Sequence, residues 1–262
     1  MSREFSMDRR AYLATVGTTA TVALAGCSSG GGSTETVTPG TAPGFQPFEF
    51  QDGSELVGFD IDLTTAVFEE MDGYELAEWE TFEFGSLIQA LTSDRIDFIA
   101  AAMTITGDRD ETIDFSDPYY SANQSVIVRS DGSFSPSELG DLSGRPVGAQ
   151  SGTTGEGIIQ DELIANGELE ESNYTSYDNY VLAVEDLENG NIDAIVIDEP
   201  VGDTFANQRP VEVAFIYETG EQYGFGMRTD DDDDLTSAVN DGLQTVRDDG
   251  TYEDLTAEWF GS

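Results

Sequence analysis

The chain has 262 residues, enough for one large domain or two lobes, with 10 basic residues against 53 acidic ones and a formal charge of −43. Every basic residue is an arginine, there is no histidine and there is one cysteine, so a histidine base, a histidine-based triad or zinc site and an intramolecular disulfide are all excluded. No basic stripe exists to meet a nucleic acid, and 38% hydrophobic content in regular periodicity excludes an acidic disordered tail.

The excess of acid reads as solvation for a protein of a halophile, because in molar salt the Debye length falls to about 3 Å and self-repulsion is screened. Residues 1–27 read as a targeting segment, with Arg9-Arg10 ahead of a mildly apolar run as in a twin-arginine signal. The run ends at Leu24-Ala25-Gly26-Cys27, a lipobox-like sequence that makes Cys27 the lipid anchor to the outer face of the membrane. Residues 28–34, Ser- and Gly-rich, are a flexible linker.

The folded part begins near residue 35. A strand over 36–41, interrupted by Pro39, leads to an aromatic-rich loop at 45–50. The apolar spacing then predicts a helix over 58–71, a strand over 74–79, a short helix over 87–91 and a strand over 96–102. Such alternation predicts a parallel α/β sheet. After the last strand come Thr104, Thr106 and Arg109, the arginine in the first turn of a short helix. The helix dipole disfavours a cation there by about 0.3–1 kcal/mol, and local rules are most often broken at functional sites. Hydroxyls, backbone donors and a guanidinium together suit a carboxylate.

A second unit starts at residue 123, with strands at 125–129, 145–150, 174–177 and 192–197. Helices are expected from 151 to about 165 and over 179–187, with another starting at Pro200. A strand at 222–227 and helices at 235–247 and 252–260 close the chain. The acidic run at 230–234 is read as helix capping and solvation rather than calcium binding, since it lacks the glycine and terminal glutamate of a calcium loop. No metal or other cofactor is expected. By itself Asp198 reads equally as the cap before Pro200, and Phe45 and Phe84 as core.

The ordered motifs FQPFEF (45–50), GFDID (58–62), LIQAL (87–91) and MTIT (103–106) with Arg109 resemble those of the extracellular solute-binding proteins of amino-acid ABC transporters, the polar-amino-acid class. DFSDPYY (114–120), VG (147–148) with SGTT (151–154), DA (193–194) with DEP (198–200), DGTY (249–252) and WFG (259–261) continue the resemblance to the end of the chain. The resemblance implies a two-lobed periplasmic-binding-protein-like α/β fold of type II with two crossover hinge strands. Lobe 1 would hold 35–122 and 222–262, and lobe 2 would hold 123–221. A ligand would sit between them at the strand carboxyl ends.

It further implies that Arg109, with Thr104, the backbone at Ala102 and, from lobe 2, Thr154, takes an α-carboxylate. Asp198 would take the α-ammonium, Phe45 and Phe84 would flank the side chain, and Gln150 would line the site. Members that bind basic amino acids carry an acid just before the first aromatic, where this chain has Ala42, and there is no spare arginine for an acidic side chain apart from Arg129 or Arg145. A neutral polar ligand such as glutamine is therefore expected. The implied partners are this amino acid, permease subunits and the membrane through Cys27; a monomer is expected. The alternative is an exported cyclohexadienyl or arogenate dehydratase on the same scaffold, with Asp198 or Glu199 as its acid. A sensory ligand-binding module is a third reading.

Overall fold

The computed structural model describes residues 34–229 and 234–261, so the targeting segment, Cys27, the linker up to Ser33 and Asp230 to Asp233 lie outside the described residues. The described chain opens with strands β1 (Glu35–Val37), β2 (Pro39–Thr41), β3 (Phe50–Asp52) and β4 (Glu55–Val57), then helix α1 (Phe59–Glu69). Next come β5 (Tyr74–Leu76), β6 (Glu80–Thr81), α2 (Leu87–Thr92), β7 (Phe98–Ile99), α3 (Gly107–Asp110) and β8 (Asp114–Phe115). They are followed by β9 (Tyr120–Arg129), β10 (Val147–Gln150), α4 (Thr154–Ile158), which continues as a π-helical stretch (Ile159–Ile164), β11 (Tyr174–Tyr177) and α5 (Tyr180–Asn189). The chain ends with β12 (Ala194–Asp198), α6 (Glu199–Gln208), β13 (Val211–Tyr223), β14 (Gly226–Met227), α7 (Asp234–Asp248) and α8 (Thr251–Phe260).

Two five-stranded sheets form, ordered β6-β2-β7-β14-β8 and β11-β10-β12-β9-β13. The expected parallel pairing holds within β6-β2-β7 and β11-β10-β12, while β14 and β8, and β9 and β13, add antiparallel pairs. The sheets are therefore mixed. The chain passes from the first sheet to the second through β8 and β9 and returns through β13 and β14. Strands β9 and β13 pair from Tyr120↔Tyr223 to Val211↔Arg129 and are the two crossovers. Register shifts between Val213 and Phe215 and between Tyr217 and Glu221 bend this ribbon.

The first part of β13 was not among the expected strands, although Val211, Val213, Phe215 and Tyr217 alternate along it. The hairpin β3–β4 was also unexpected, and its Asp52-Gly53 turn is the signal for it. The longer expected strands at 74–79 and 96–102 are cut short, because only Tyr74–Leu76 and Phe98–Ile99 find ladder partners.

Aromatic residues hold the crossover end together. Phe48 and Phe59 are fully buried and pack with Tyr120, Tyr223 and, from α8, Phe260, with ring centroids 4.8–6.2 Å apart. The Trp259 indole donates to Asp62 of α1 at 3.0 Å. The WFG and GFDID motifs are thus two halves of one contact that brings the C-terminal helix back to the first sheet.

Candidate functional site

Phe45, Phe84, Ala102, Thr104 and Arg109 from the first lobe and Gln150, Thr154 and Asp198 from the second all line one cavity, with Glu49 and Thr153 completing it. The free space within it is about 10 Å³, the room of roughly one water molecule. The lobes touch across it.

Arg109 lies in α3, whose N-cap Thr106 accepts from the Arg109 N–H at 3.3 Å. Its guanidinium donates to the Thr104 carbonyl at 2.6 Å and, across the cleft, to the Gly152 carbonyl at 2.8 Å. These bonds leave donors of its planar fork free. Burial lowers the pKa of Arg109, while Asp198 and Glu221 act in the opposite direction. The Phe84 ring lies 5.4 Å from the guanidinium carbon.

Three expected donors, the Ala102 N–H and the Thr104 and Thr154 hydroxyls, are already engaged. The Ala102 N–H donates to Asp60 at 2.7 Å, so it is not free for a ligand carboxylate. Ala102 sits at φ 43, a left-handed conformation costly for a residue with a Cβ, and Asp60 of α1 holds it there. The Thr104 hydroxyl donates to Glu221 at 2.8 Å and accepts from Thr154 at 3.0 Å. Thr154 reaches the cleft because α4 begins hard against β12: a Cβ on Gly155 would lie 2.7 Å from the Val196 carbonyl oxygen.

Asp198 ends β12 directly before α6 but makes no side-chain capping bond, so the cap reading fails. Its carboxylate instead accepts from the Tyr223 hydroxyl at 2.5 Å. Burial, then Glu221, pushes its pKa up to about 7. Phe45 packs between Phe48 and Tyr180 at 5.9 and 5.8 Å, with an edge on the cavity.

Sequence reasoning missed two lining residues, Thr153, the N-cap of α4, and Glu49. Glu49 is fully buried, and among the described residues neither carboxylate oxygen has a hydrogen-bond partner. Burial, then Asp60 and Asp198, raises its pKa well above the usual carboxylate range. Its setting in the sequence, an acid between two aromatics inside FQPFEF, does not tell a cavity-facing side chain from an exposed one. Ala42, by contrast, is packed with Leu87, Leu91 and Ile99 and does not line the cavity. Arg129 and Arg145 pair with Asp193 at 3.4 and 3.3 Å and do not line it either. The cavity therefore offers one guanidinium and an unusual density of buried acceptors.

Residues 37–262 match the family described as bacterial extracellular solute-binding proteins, family 3. A probable histidine-binding protein of Campylobacter jejuni is 33% identical over 229 residues, covering 87% of this chain and 86% of its own. ABC transporter arginine-binding protein 1 of Escherichia coli is 32% identical over 243 residues, covering 90% of this chain and 96% of its own. The solved structure of an ancestral arginine-binding protein bound to arginine superimposes with a TM-score of 0.80 at 34% identity, covering 86% of this chain and 98% of its own. This chain belongs to family 3 of the bacterial extracellular solute-binding proteins.

Proposed function

We propose that the protein binds a cationic amino acid between its lobes, residues 35–122 with 222–262 and residues 123–221, and delivers it to the permease of an ABC transporter. The observation that carries this reading is a single cavity lined by Arg109 from one lobe, Asp198 from the other and the unpaired carboxylate of Glu49. Arg109 takes the α-carboxylate together with Thr154, whose hydroxyl turns from Thr104 to the ligand, and Asp198 takes the α-ammonium. Glu49, desolvated and without a donor, gains most from a positively charged side chain. Phe45 and Phe84 flank the aliphatic part, and Gln150 closes the wall. A cationic side chain replaces the expected neutral one because the acid sought near Ala42 stands at Glu49. The names of the histidine- and arginine-binding relatives agree with this choice.

A free volume of about 10 Å³ is several-fold too small for an amino acid, so the lobes part about β9 and β13 to admit one and close on it. We further propose export on a twin-arginine signal, anchoring through a lipid on Cys27, action as a monomer and operation in molar salt. The dehydratase alternative is the less supported one, since Arg109 and Asp198 suit a zwitterion that is held, not transformed, and the relatives are named as binding proteins.

Calorimetry in molar salt with the natural amino acids tests the reading. Arginine, lysine or histidine is expected to bind at micromolar affinity or tighter, about −8 kcal/mol or better. Arg109→Ala is expected to weaken binding by about 2–5 kcal/mol, because a desolvated carboxylate loses its partner. Binding of none of the amino acids, or an Arg109→Ala variant that binds like the parent, contradicts the reading.

A further inference from the structure

Glu221 does not line the cavity, yet it determines how one lining residue meets a ligand. It lies in β13, just past the register shift that follows Tyr217, and is 8% exposed. A strand's alternation puts it on the same face as Tyr223, two residues on, which donates to Asp198. Both Glu221 oxygens are engaged by uncharged donors. Oε1 accepts from the Gln124 amide at 2.8 Å and from the Thr219 hydroxyl at 3.2 Å, and Oε2 accepts from the Thr104 hydroxyl at 2.8 Å.

A threonine hydroxyl has one hydrogen, and Thr104 gives it to Glu221. The Thr104 hydrogen is therefore directed away from the cleft, and toward the cleft Thr104 presents lone pairs. The Thr154 hydroxyl donating to Thr104 Oγ1 at 3.0 Å fits that polarity. We infer that Glu221 is a positioning residue that holds Thr104 as a hydrogen-bond acceptor and thereby makes this cleft select for an α-ammonium beside Asp198. The inference rests on the amino-acid reading and adds to it a residue outside the cavity, on the crossover strand itself. Because β13 carries both Glu221 and Tyr223, one hinge strand orients both acceptors, Thr104 and Asp198.

The test compares L-arginine with 5-guanidinopentanoate, which lacks only the α-amine, by calorimetry in molar salt. The measured quantity is the ratio of their Kd values in the parent, Glu221→Leu, Thr104→Val and the double variant, each shown to be folded by its thermal transition. The parent is expected to prefer arginine by at least about a hundredfold, since loss of the amine leaves a buried carboxylate unpaired. Each single substitution is expected to lower that preference about tenfold, and the double variant to stay within about threefold of either single one, because both remove the same interaction. Glu221→Gln keeps an acceptor for Thr104, since the Gln124 amide can turn its unpartnered oxygen toward the new amide; its preference is expected to stay within about threefold of the parent's.

A Glu221→Leu variant that weakens both ligands equally overturns the inference, as do effects that multiply in the double variant or a Glu221→Gln variant that loses the preference. A parent that binds none of arginine, lysine and histidine overturns instead the amino-acid reading beneath it.

Discussion

A buried carboxylate without a donor is costly, by about 1–3 kcal/mol or more when charged, and Glu49 has two such oxygens. The cost is reduced while the group holds a proton and is recovered when a cation arrives. Asp60, pushed up to about 6, and Asp198, up to about 7, are held in the same direction by burial. The folded protein thus binds protons that the unfolded chain, with carboxyl pKa values near 4, has already released. The stability these groups contribute is fully present below about pH 4 and is lost as pH rises through their folded values. Two results are expected between pH 5 and 8: the melting temperature without ligand falls, and the affinity for arginine rises with proton release, seen as a dependence of calorimetric heat on buffer ionisation enthalpy. Glu49→Gln is expected to reduce the preference for arginine over glutamine by at least about tenfold. An unchanged preference would remove Glu49 from ligand selection. Arg109, Thr154 and Asp198 could be picked out from the sequence because each breaks a local rule or sits in a marked motif. Glu49 could not, because an acid between two phenylalanines looks the same whether it faces solvent or a cavity. The commitment of Ala102 and Thr104 to Asp60 and Glu221 was also hidden, since those partners are 42 and 117 positions away.

At the scale of elements, closure depends on how nearly the loop after β10 can approach the helical turn at Phe84–Ser86. Gly152 has φ +77, and a Cβ there would lie 2.9 Å from the Gly85 Cα of the opposite lobe. Gly152→Ala therefore suffers twice: about 1–2 kcal/mol for a left-handed residue with a side chain, and a clash that exists only when the lobes meet. The expected outcome is a Kd for arginine raised by at least about tenfold, with a smaller loss of stability in the ligand-free protein. Equal losses in both would show that the contact is not part of closure. Helices were well marked by periodicity and by the glycines at their ends, as α1, α5 and α8 illustrate. Strands were harder to bound, because pairing partners set their ends. β9 extends back to Tyr120 only because Tyr223 of β13 lies opposite, far along the chain.

For the whole molecule, a formal charge of −43 acts against any compact state in dilute salt and most strongly against the closed one. The melting temperature is expected to rise steeply from low salt to molar potassium chloride, as the Debye length falls from about 10 Å at 0.1 M to about 3 Å at 1 M. A salt-independent transition would contradict the halophilic reading. The two-lobe plan was legible in the order of motifs, and the mixed edges of the sheets were not, because strand direction is decided by how the two crossovers return. The most direct test of the central claim is a crystal structure of the protein grown with L-arginine in molar salt. The expected electron density lies in the cleft, with the α-carboxylate on Arg109 and Thr154, the α-ammonium between Asp198 and Thr104, and the guanidinium against Glu49. Density that leaves the cleft empty, or a ligand whose side-chain charge lies away from Glu49, would contradict it.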